Sequence, residues 1–116
     1  ANPHQYIKDA QFMLVTSIWE GFGLIMLESW AHKKPLIVFD VPAMNEAITD
    51  NKDGLIVKAF DTDELAEKII YYFQHPEIAG RHGAAGHAKL YSYYTVSRMT
   101  DEMCEVYEKV FTGNLN

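Results

Sequence analysis

The sequence is short of several residue types, and each shortage argues against a class of protein. Its 116 residues include one cysteine, Cys104, so no intrachain disulfide can form, and we expect a small core residue at this position. Ten Lys and Arg stand against 16 Asp and Glu, so the broad basic surface that nucleic acids and anionic membranes require is missing. No apolar run has the length of a transmembrane helix. Because disulfide frameworks belong to oxidising compartments, we expect a cytoplasmic protein.

The composition and the length indicate one folded domain. Hydrophobic residues make up 48% of the chain and charged residues 22%, which is typical of a folded domain, and the length suits a single domain over residues 1–116. We expect no metal and no other cofactor, since no mutual spacing typical of a metal site links the five histidines, which are His4, His32, His75, His82 and His87.

Three short apolar runs, at residues 12–15, 36–39 and 55–57, predict strands that are buried on both faces, as in a parallel sheet. Alternation of strands and helices predicts an α/β fold with a partial Rossmann-like parallel sheet of about three strands, flanked by helices, and a helical C-terminal region. The helical patterns that precede, separate and follow the strands cover residues 3–8, 23–32, 45–49 and 62–74.

Several residues mark the ends of the later helices. Asp61, followed three residues later by Glu64, predicts a capping box. Pro76 begins a shorter helix, which we predict to end in the glycine-rich stretch 80–86, where glycines would break the helix and allow close packing. Thr95 is suited to cap a last helix. Together these signals predict that the chain after the third strand consists of helices.

The stretch that carries chemistry runs from residue 17 to residue 28, where the first predicted strand turns into a helix. Ligands of open parallel sheets bind at this carboxyl edge. Gly21 and Gly23 let a ligand approach the backbone, and the free amides of the helix start favour a phosphate or pyrophosphate. Glu28 lies more than one turn into the helix among apolar residues, so its carboxylate needs a partner, for which ribose hydroxyls are suited. Glu20 is close enough to face a sugar attached to that pyrophosphate.

A purely structural interpretation of the same spacing stands beside this one. Gly21 and Gly23 would then only shape a tight strand-to-helix turn. Glu20 would stabilise the helix start through the helix dipole, and Glu28 would lie at the rim of the core. Spacing alone does not separate the two, because short glycine motifs occur frequently without a ligand.

A resemblance to a known family favours the ligand-binding interpretation over the purely structural one. The run from Glu20 to Leu24, together with Glu28, resembles the Glu-x7-Glu signature of retaining glycosyltransferases of the GT-B fold, in particular glycosyltransferase family 4. Further segments resemble motifs of that family in the same order over nearly the whole chain. These segments are KPLIV at 34–38, DVPAMNE at 40–46, DGLIV at 53–57, DELA at 63–66 and RHG with AG at 81–86.

The resemblance implies a role for each residue of the signature. Glu28 would hydrogen-bond the ribose of a nucleotide diphosphate-sugar, and Glu20 would be the catalytic residue that faces the donor sugar near the reaction centre. The family transfers a hexose to an acceptor with retention of configuration, generally without a metal. The donor sugar and its phosphate would contact the backbone of Gly21, Phe22, Gly23 and Leu24.

The chain also departs from the family pattern. Pro42 and Ala43 stand where two glycines are usual, and Ile25 replaces a common proline. The resemblance covers only the second half of the C-terminal, donor-binding domain. We therefore expect a fragment that lacks the acceptor-binding N-terminal domain and is inactive by itself. Its first strand would lack a neighbour, so an edge-strand or swapped homodimer is also expected.

Two functional hypotheses follow. In the first, the chain binds a UDP-, GDP- or ADP-sugar for a glycosyltransferase of the cytoplasm. In the second, it is a non-catalytic nucleotide-sugar-binding or assembly module with the same fold. A nucleotide-binding domain of flavodoxin-like type would explain the sheet but not the run of matching segments.

Overall fold

The computed structural model describes residues 3–16 and 24–93 of the chain, with side chains for residues 5–16 and 25–92. The described residues alternate between helices and strands, as predicted. In chain order the elements are α1 (Pro3–Asp9), β1 (Met13–Val15), α2 (Leu24–Ala31), β2 (Leu36–Phe39), α3 (Pro42–Ala47), β3 (Gly54–Val57), α4 (Thr62–Gln74) and α5 (Pro76–Tyr93).

The three strands form one parallel sheet in the order β1-β2-β3. Met13 pairs with Leu36, and Leu36 pairs with Gly54 on its other side. Each strand reaches its neighbour through a crossover that contains a helix, as parallel pairing requires. The predicted α/β fold class, a three-stranded parallel sheet with flanking helices, is confirmed. The predicted helix after Thr95 and the predicted core position of Cys104 lie outside the described residues.

Burial differs between the central strand and β1. In β2, Leu36 and Ile37 are completely buried, as predicted for a strand covered on both faces. In β1, Leu14 is 45% exposed and Met13 is half-buried, so the prediction of a strand buried on both faces is wrong there. The reason is the cover by helices. Both β1 and β3 are edge strands of the described sheet, but β3 packs against α4 and α5 and is largely buried, whereas β1 contacts mainly β2.

Trp30 on α2 is the centre of the packing between α2 and α5. Its side chain is completely buried, and its indole Nε1 donates a hydrogen bond to the main-chain oxygen of Asp53 at 3.2 Å. The backbone of α5 approaches closely because Gly83 faces the carbonyl of Lys33 and Gly86 faces the indole of Trp30. The predicted close packing at these glycines is therefore confirmed.

The predicted end of α5 within residues 80–86 is wrong, because the helix continues through this stretch to Tyr93. A glycine inside a helix costs about 1 kcal/mol relative to alanine, which does not by itself end a helix. The contacts that Gly86 permits with α2, and Gly83 with the turn after α2, offset that cost. None of the helices in the described part of the chain is both long and apolar enough to cross a membrane.

The short helix α3 begins three residues earlier than predicted. Pro42 occupies its first turn, where the missing amide hydrogen costs nothing and the fixed φ suits a helix. Met44, predicted to lie in a loop, is a buried core residue of α3. Pro42 and Ala43, which stand where the family motif has two glycines, are thus the first residues of a helix.

Asp61 caps α4 as predicted, with its Oδ1 accepting a hydrogen bond from the amide of Glu64 at 2.9 Å. The second hydrogen bond of a capping box, from the amide of Asp61 to the Glu64 carboxylate, is not formed. The Glu64 carboxylate approaches the amide of Lys58 at 3.4 Å, and the amide of Asp61 donates to the main-chain oxygen of Lys58 instead. The helix start therefore closes onto the residue that follows β3.

Candidate functional site

The carboxyl ends of the strands lie together at one edge of the sheet, because all three strands are parallel. Val15, Phe39 and Val57 are the last strand residues at this edge. The helix α2, which the described chain enters at Leu24, follows β1 in the sequence, and ligands of open parallel sheets bind at this edge. The predicted contacts that lie outside the described residues, and therefore stay predictions, are Glu20, Gly21, Phe22 and Gly23.

Leu24 and Glu28 are the two predicted site residues that the structure describes. Leu24 is the first residue of α2, so its amide is one of those at the helix start without a partner within the helix. Glu28 lies in the second turn, as predicted, and its side chain is half-buried. The residues on either side of it, Leu27 and Ser29, are buried. Glu28 therefore lies at the boundary between the core and solvent, which is the position that the structural interpretation assigns to it.

The side chain of Glu28 makes no polar contact with the described residues, since none of them forms a hydrogen bond or an ion pair with it. By contrast, the neighbouring Ser29 hydroxyl is used internally, since it donates to the carbonyl of Ile25 at 2.7 Å. A half-buried carboxylate can accept two or more hydrogen bonds, and hydroxyl groups of a ligand are suitable donors. The structure therefore leaves the acceptor capacity of Glu28 free within the described residues.

Sequence reasoning missed a polar cavity at the same end of the sheet. It has a volume of about 420 Å³ and opens beside the residues that follow β2 and β3. Asn45 Nδ2 donates to Asp40 Oδ1 at 2.9 Å across one wall. The signal in the sequence is the position of Asp40 and Lys58, each directly after a buried strand. The lining residues are Asp40, Asn45, Asp50, Ile56, Val57, Lys58 and Glu64.

The polar groups of that cavity are partly committed to the fold. Asp50 Oδ1 accepts from the amide of Ile56 at 2.9 Å, which ties the loop before β3 to the free edge of that strand. Glu64 approaches the amide of Lys58, as described above. In the described part of the chain, no group of three or more His, Cys, Asp or Glu residues is arranged to hold a metal ion.

The strongest pKa shifts occur away from this edge, in a buried pair between α4 and α5. The Tyr72 hydroxyl and His82 Nδ1 are 2.8 Å apart. Burial lowers the pKa of His82, and the positive charge of Arg81 lowers it further. Burial raises the pKa of Tyr72, with the nearby Tyr71 as the next cause. Both directions favour the neutral forms, in which the tyrosine hydroxyl and the imidazole can share one hydrogen bond between α4 and α5.

Comparison with known proteins identifies the family of the chain. Residues 1–89 match the family described as glycosyl transferases group 1. D-inositol 3-phosphate glycosyltransferase of Saccharomonospora viridis is 30% identical over 108 residues, which are 91% of this chain and 24% of that protein. The chain spans between 22% and 29% of the length of the first curated relatives that it matches.

Solved structures agree with the sequence matches. Sucrose-phosphate synthase from Thermosynechococcus elongatus superimposes with a TM-score of 0.78 and 25% identity, over 94% of this chain and 27% of that one. HepE of Anabaena in complex with UDP-glucose gives a TM-score of 0.78 at 17% identity, over 90% of this chain and 29% of that one, and so supports the fold alone. The chain thus has part of the GT-B fold and belongs to the glycosyl transferases group 1 family.

Proposed function

We propose that this chain binds the nucleotide diphosphate-sugar donor of a retaining hexosyltransferase of glycosyltransferase family 4. It would form the second half of the C-terminal, donor-binding domain. The observation that carries the proposal is the Glu28 carboxylate, which is half-buried on the second turn of α2 and has no partner among the described residues. Glu28 follows the loop that leaves the carboxyl end of β1, where ligands of open parallel sheets bind.

The strand order is that of one half of a dinucleotide-binding sheet. Such a sheet has the order 3-2-1-4-5-6, and each of its halves is a run of neighbouring parallel strands. The order β1-β2-β3 has this pattern, and the assignment to the second half rests on the family resemblance. The ligand-binding crevice of such a sheet lies beside the first strand of each half, which corresponds to β1 in this chain.

In this proposal, the nucleotide diphosphate lies across the start of α2. The ribose hydroxyls donate to the Glu28 carboxylate, and the pyrophosphate faces the free amides of the helix start, whose dipole favours negative charge. Glu20 faces the donor sugar at the reaction centre. The backbone contacts to the sugar and its phosphate come from Gly21, Phe22, Gly23 and Leu24.

The donor is a UDP-, GDP- or ADP-sugar. The structure of HepE in complex with UDP-glucose, which shares the fold, makes UDP the first nucleotide to test. The acceptor-binding surface would be contributed by polypeptide beyond these residues, so we expect this chain alone to bind the donor without transferring the sugar. The rival function, a non-catalytic nucleotide-sugar-binding module, predicts the same binding and no transfer in any context.

The test is an amide-proton NMR titration of this chain with UDP, GDP and ADP. We expect one of them to shift the amides around Leu24 to Glu28, and Glu28→Gln to weaken its binding by about tenfold, because one charge-assisted hydrogen bond is lost. The matched control is Glu67→Gln, since Glu67 is an exposed glutamate on α4. Equal binding by the wild-type chain and Glu28→Gln would contradict the assignment.

A second measurement separates the enzyme from the binding module. The intact protein that contains this chain is incubated with the nucleotide-sugar and acceptor alcohols, and the product is analysed by NMR. We expect a new glycoside with the same anomeric configuration as the donor. A product of inverted configuration would contradict the retaining mechanism, and nucleotide binding without any product would favour the non-catalytic module.

A further inference from the structure

A charged cluster contacts α2, the helix that carries Glu28, and the function proposed above assigns no role to it. Its members are Lys89 on α5, Thr49 and Asp53 in the connection between α3 and β3, and Trp30 on α2. We call it the Lys89 cluster. We propose that Lys89 is a positioning residue for donor binding, which acts through Asp53 and Trp30 to fix the orientation of α2 and therefore of Glu28. The inference rests on the proposed function.

Lys89 uses the full donor capacity of its ammonium group, which has three N–H bonds. Its Nζ forms an ion pair with the carboxylate of Asp53 and donates to the main-chain oxygen of Ala47 at 3.0 Å and to Thr49 Oγ1 at 3.1 Å. The same Nζ lies 5.6 Å from the centroid of the Trp30 ring, within the range of a cation–π interaction. The Lys89 side chain is 22% exposed and that of Asp53 only 2%.

Asp53 transmits these contacts to α2. One carboxylate oxygen pairs with Lys89, and the other accepts from the amide of Thr49 at 2.8 Å. The main-chain oxygen of Asp53 accepts from the indole Nε1 of Trp30 at 3.2 Å. The cluster therefore connects α5 and the start of β3 to one side chain of α2, through polar contacts whose geometry is directional.

Trp30 lies two residues after Glu28 on the same helix, so the two side chains have a fixed angular relationship. A helix side chain extends roughly 6 Å from the axis, and a rotation of α2 by about 20° would therefore move the Glu28 carboxylate by about 2 Å. A displacement of this size would lengthen and misalign a hydrogen bond between the carboxylate and a ligand hydroxyl, which weakens the bond. Apolar packing alone tolerates such a rotation better than a directional cluster, because hydrophobic contacts are non-directional.

The physical chemistry of buried ion pairs favours a positioning role over a purely stabilising one. The desolvation of two charges offsets much of their attraction, so a buried pair is weak evidence for added stability. In some proteins such pairs instead select one arrangement of neighbouring elements. The Lys89 cluster has this form, because the contacts of Lys89 and the Trp30 hydrogen bond join α5 and α2 to the segment between α3 and β3.

The test uses variants that keep the fold intact. Lys89→Met alone would leave the Asp53 carboxylate buried without its partner, which is strongly destabilising. The double variant Lys89→Met/Asp53→Asn removes both charges, and it keeps an oxygen for the Thr49 amide and the main-chain oxygen for Trp30. Lys89→Arg retains the positive charge. The matched control is Lys68→Met, since Lys68 is a half-buried lysine on α4 outside the cluster.

The measurement is the affinity of the intact protein for UDP, GDP and ADP, taken well below the unfolding temperature of every variant. We expect the double variant to weaken the binding of the preferred nucleotide by about fivefold, and Lys89→Arg and Lys68→Met to change it by less than about twofold. The double variant combined with Glu28→Gln should bind about as weakly as Glu28→Gln alone, because the loss acts through that carboxylate.

Each other outcome identifies what has failed. If the double variant loses affinity by the same factor with and without the Glu28 carboxylate, the cluster does not act through Glu28 and the inference is overturned. An unchanged affinity in the double variant overturns it as well. If the wild-type protein and Glu28→Gln bind every nucleotide equally, the proposed function fails, and the inference that rests on it fails with it.

Discussion

Gly86 on α5 lies so close to the indole ring of Trp30 on α2 that no larger side chain fits between them. A Cβ atom at position 86 would be 2.7 Å from Cε2 of the indole and closer still to its nitrogen. Gly83, one turn earlier, faces the carbonyl group of Lys33 in the same way. The contact between α2 and α5 is therefore set by the absence of two side chains.

We predict that Gly83→Ala and Gly86→Ala each lower the free energy of unfolding by about 1–3 kcal/mol, because an added methyl group overpacks a full interface. Gly83→Ala should have the larger effect, since the obstacle is backbone, which yields less than a side chain. Urea unfolding measures both effects. Gly80→Ala is the matched control on the same helix, because nothing lies within 4 Å of a Cβ there.

The control should change stability in the opposite direction. Alanine is a better helix former than glycine by about 1 kcal/mol, so Gly80→Ala should raise the free energy of unfolding by up to that amount. Destabilisation of similar size at all three positions would mean that helix propensity, and not the contact with α2, determines the outcome.

We predict that stability falls in mild acid because of His82. Burial lowers the pKa of His82 from its usual value of 6.5, so the unfolded chain binds a proton at pH values where the folded protein does not. The contribution of this group is complete above about pH 6.5 and is lost as the pH falls towards the lower pKa of the folded state. Arg81 adds to the lowering, and Asp53 and Asp50 oppose it.

Thermal unfolding between about pH 5 and pH 7.5 tests this prediction. His82→Gln should show a flatter dependence of the unfolding temperature on pH than the wild-type protein, because its amide does not titrate in this range. Tyr72→Phe removes the hydroxyl that bonds to neutral His82, so it should be least stable relative to wild type at the higher pH. An unchanged slope in His82→Gln would assign the acid sensitivity to other groups.

We predict that Asp61→Ala lowers the free energy of unfolding by about 1 kcal/mol, the usual value of an N-cap side chain. The Asp61 carboxylate accepts from the amide of Glu64, which has no partner within the helix. Asp61→Asn is the matched variant, since asparagine caps about as well as aspartate. Urea unfolding that gave equal losses for both substitutions would assign the effect to charge, and not to the hydrogen bond.

We predict self-association through the edge of the sheet at β1. Leu14 is 45% exposed on this strand, and Phe73 on α4, which packs on Phe12 beside it, is 58% exposed. Leu14→Lys should lower the dimer fraction measured by sedimentation, because lysine on an edge strand opposes pairing. Phe60→Lys is the control at an exposed aromatic residue after β3. Equal dimer fractions in both variants would place the contact elsewhere.

Local signals in the sequence predicted the elements whose residues determine their own environment. The bounds of β2 were predicted correctly because four apolar residues lie between Pro35 and Asp40, and the central strand of a small sheet is buried on both faces. The Asp61 cap of α4 was predicted because the cap and the amide lie three residues apart, and the end of α4 at Gln74 was predicted because Pro76 follows it. The position of Glu28 on α2 was also predicted, with its role still to be tested.

Features that depend on distant neighbours were not predictable. The run that forms β1 is as apolar as β2, and its exposure depends on which helices pack over each strand, since the other edge strand, β3, is covered by α4 and α5. The glycines of α5 are typical of a helix end in the sequence. Their actual role depends on the indole of Trp30, which lies where a Cβ atom at Gly86 would be. The cavity lies beside Asp40 and Lys58, each directly after a buried strand, but these positions do not by themselves predict that other residues enclose a cavity there.

The strand order has a consequence for how the chain folds. Every pairing in the sheet joins strands that are consecutive in the chain, and paired residues such as Met13 and Leu36 lie only roughly 20 residues apart, so each loop closure has a small entropic cost. Such a sheet can grow by adding one strand and one helix at a time, in the order in which a ribosome delivers them. β1 can therefore pair with β2 before α5 has been synthesised, and the Lys89 cluster, which needs α5, is among the last features to form.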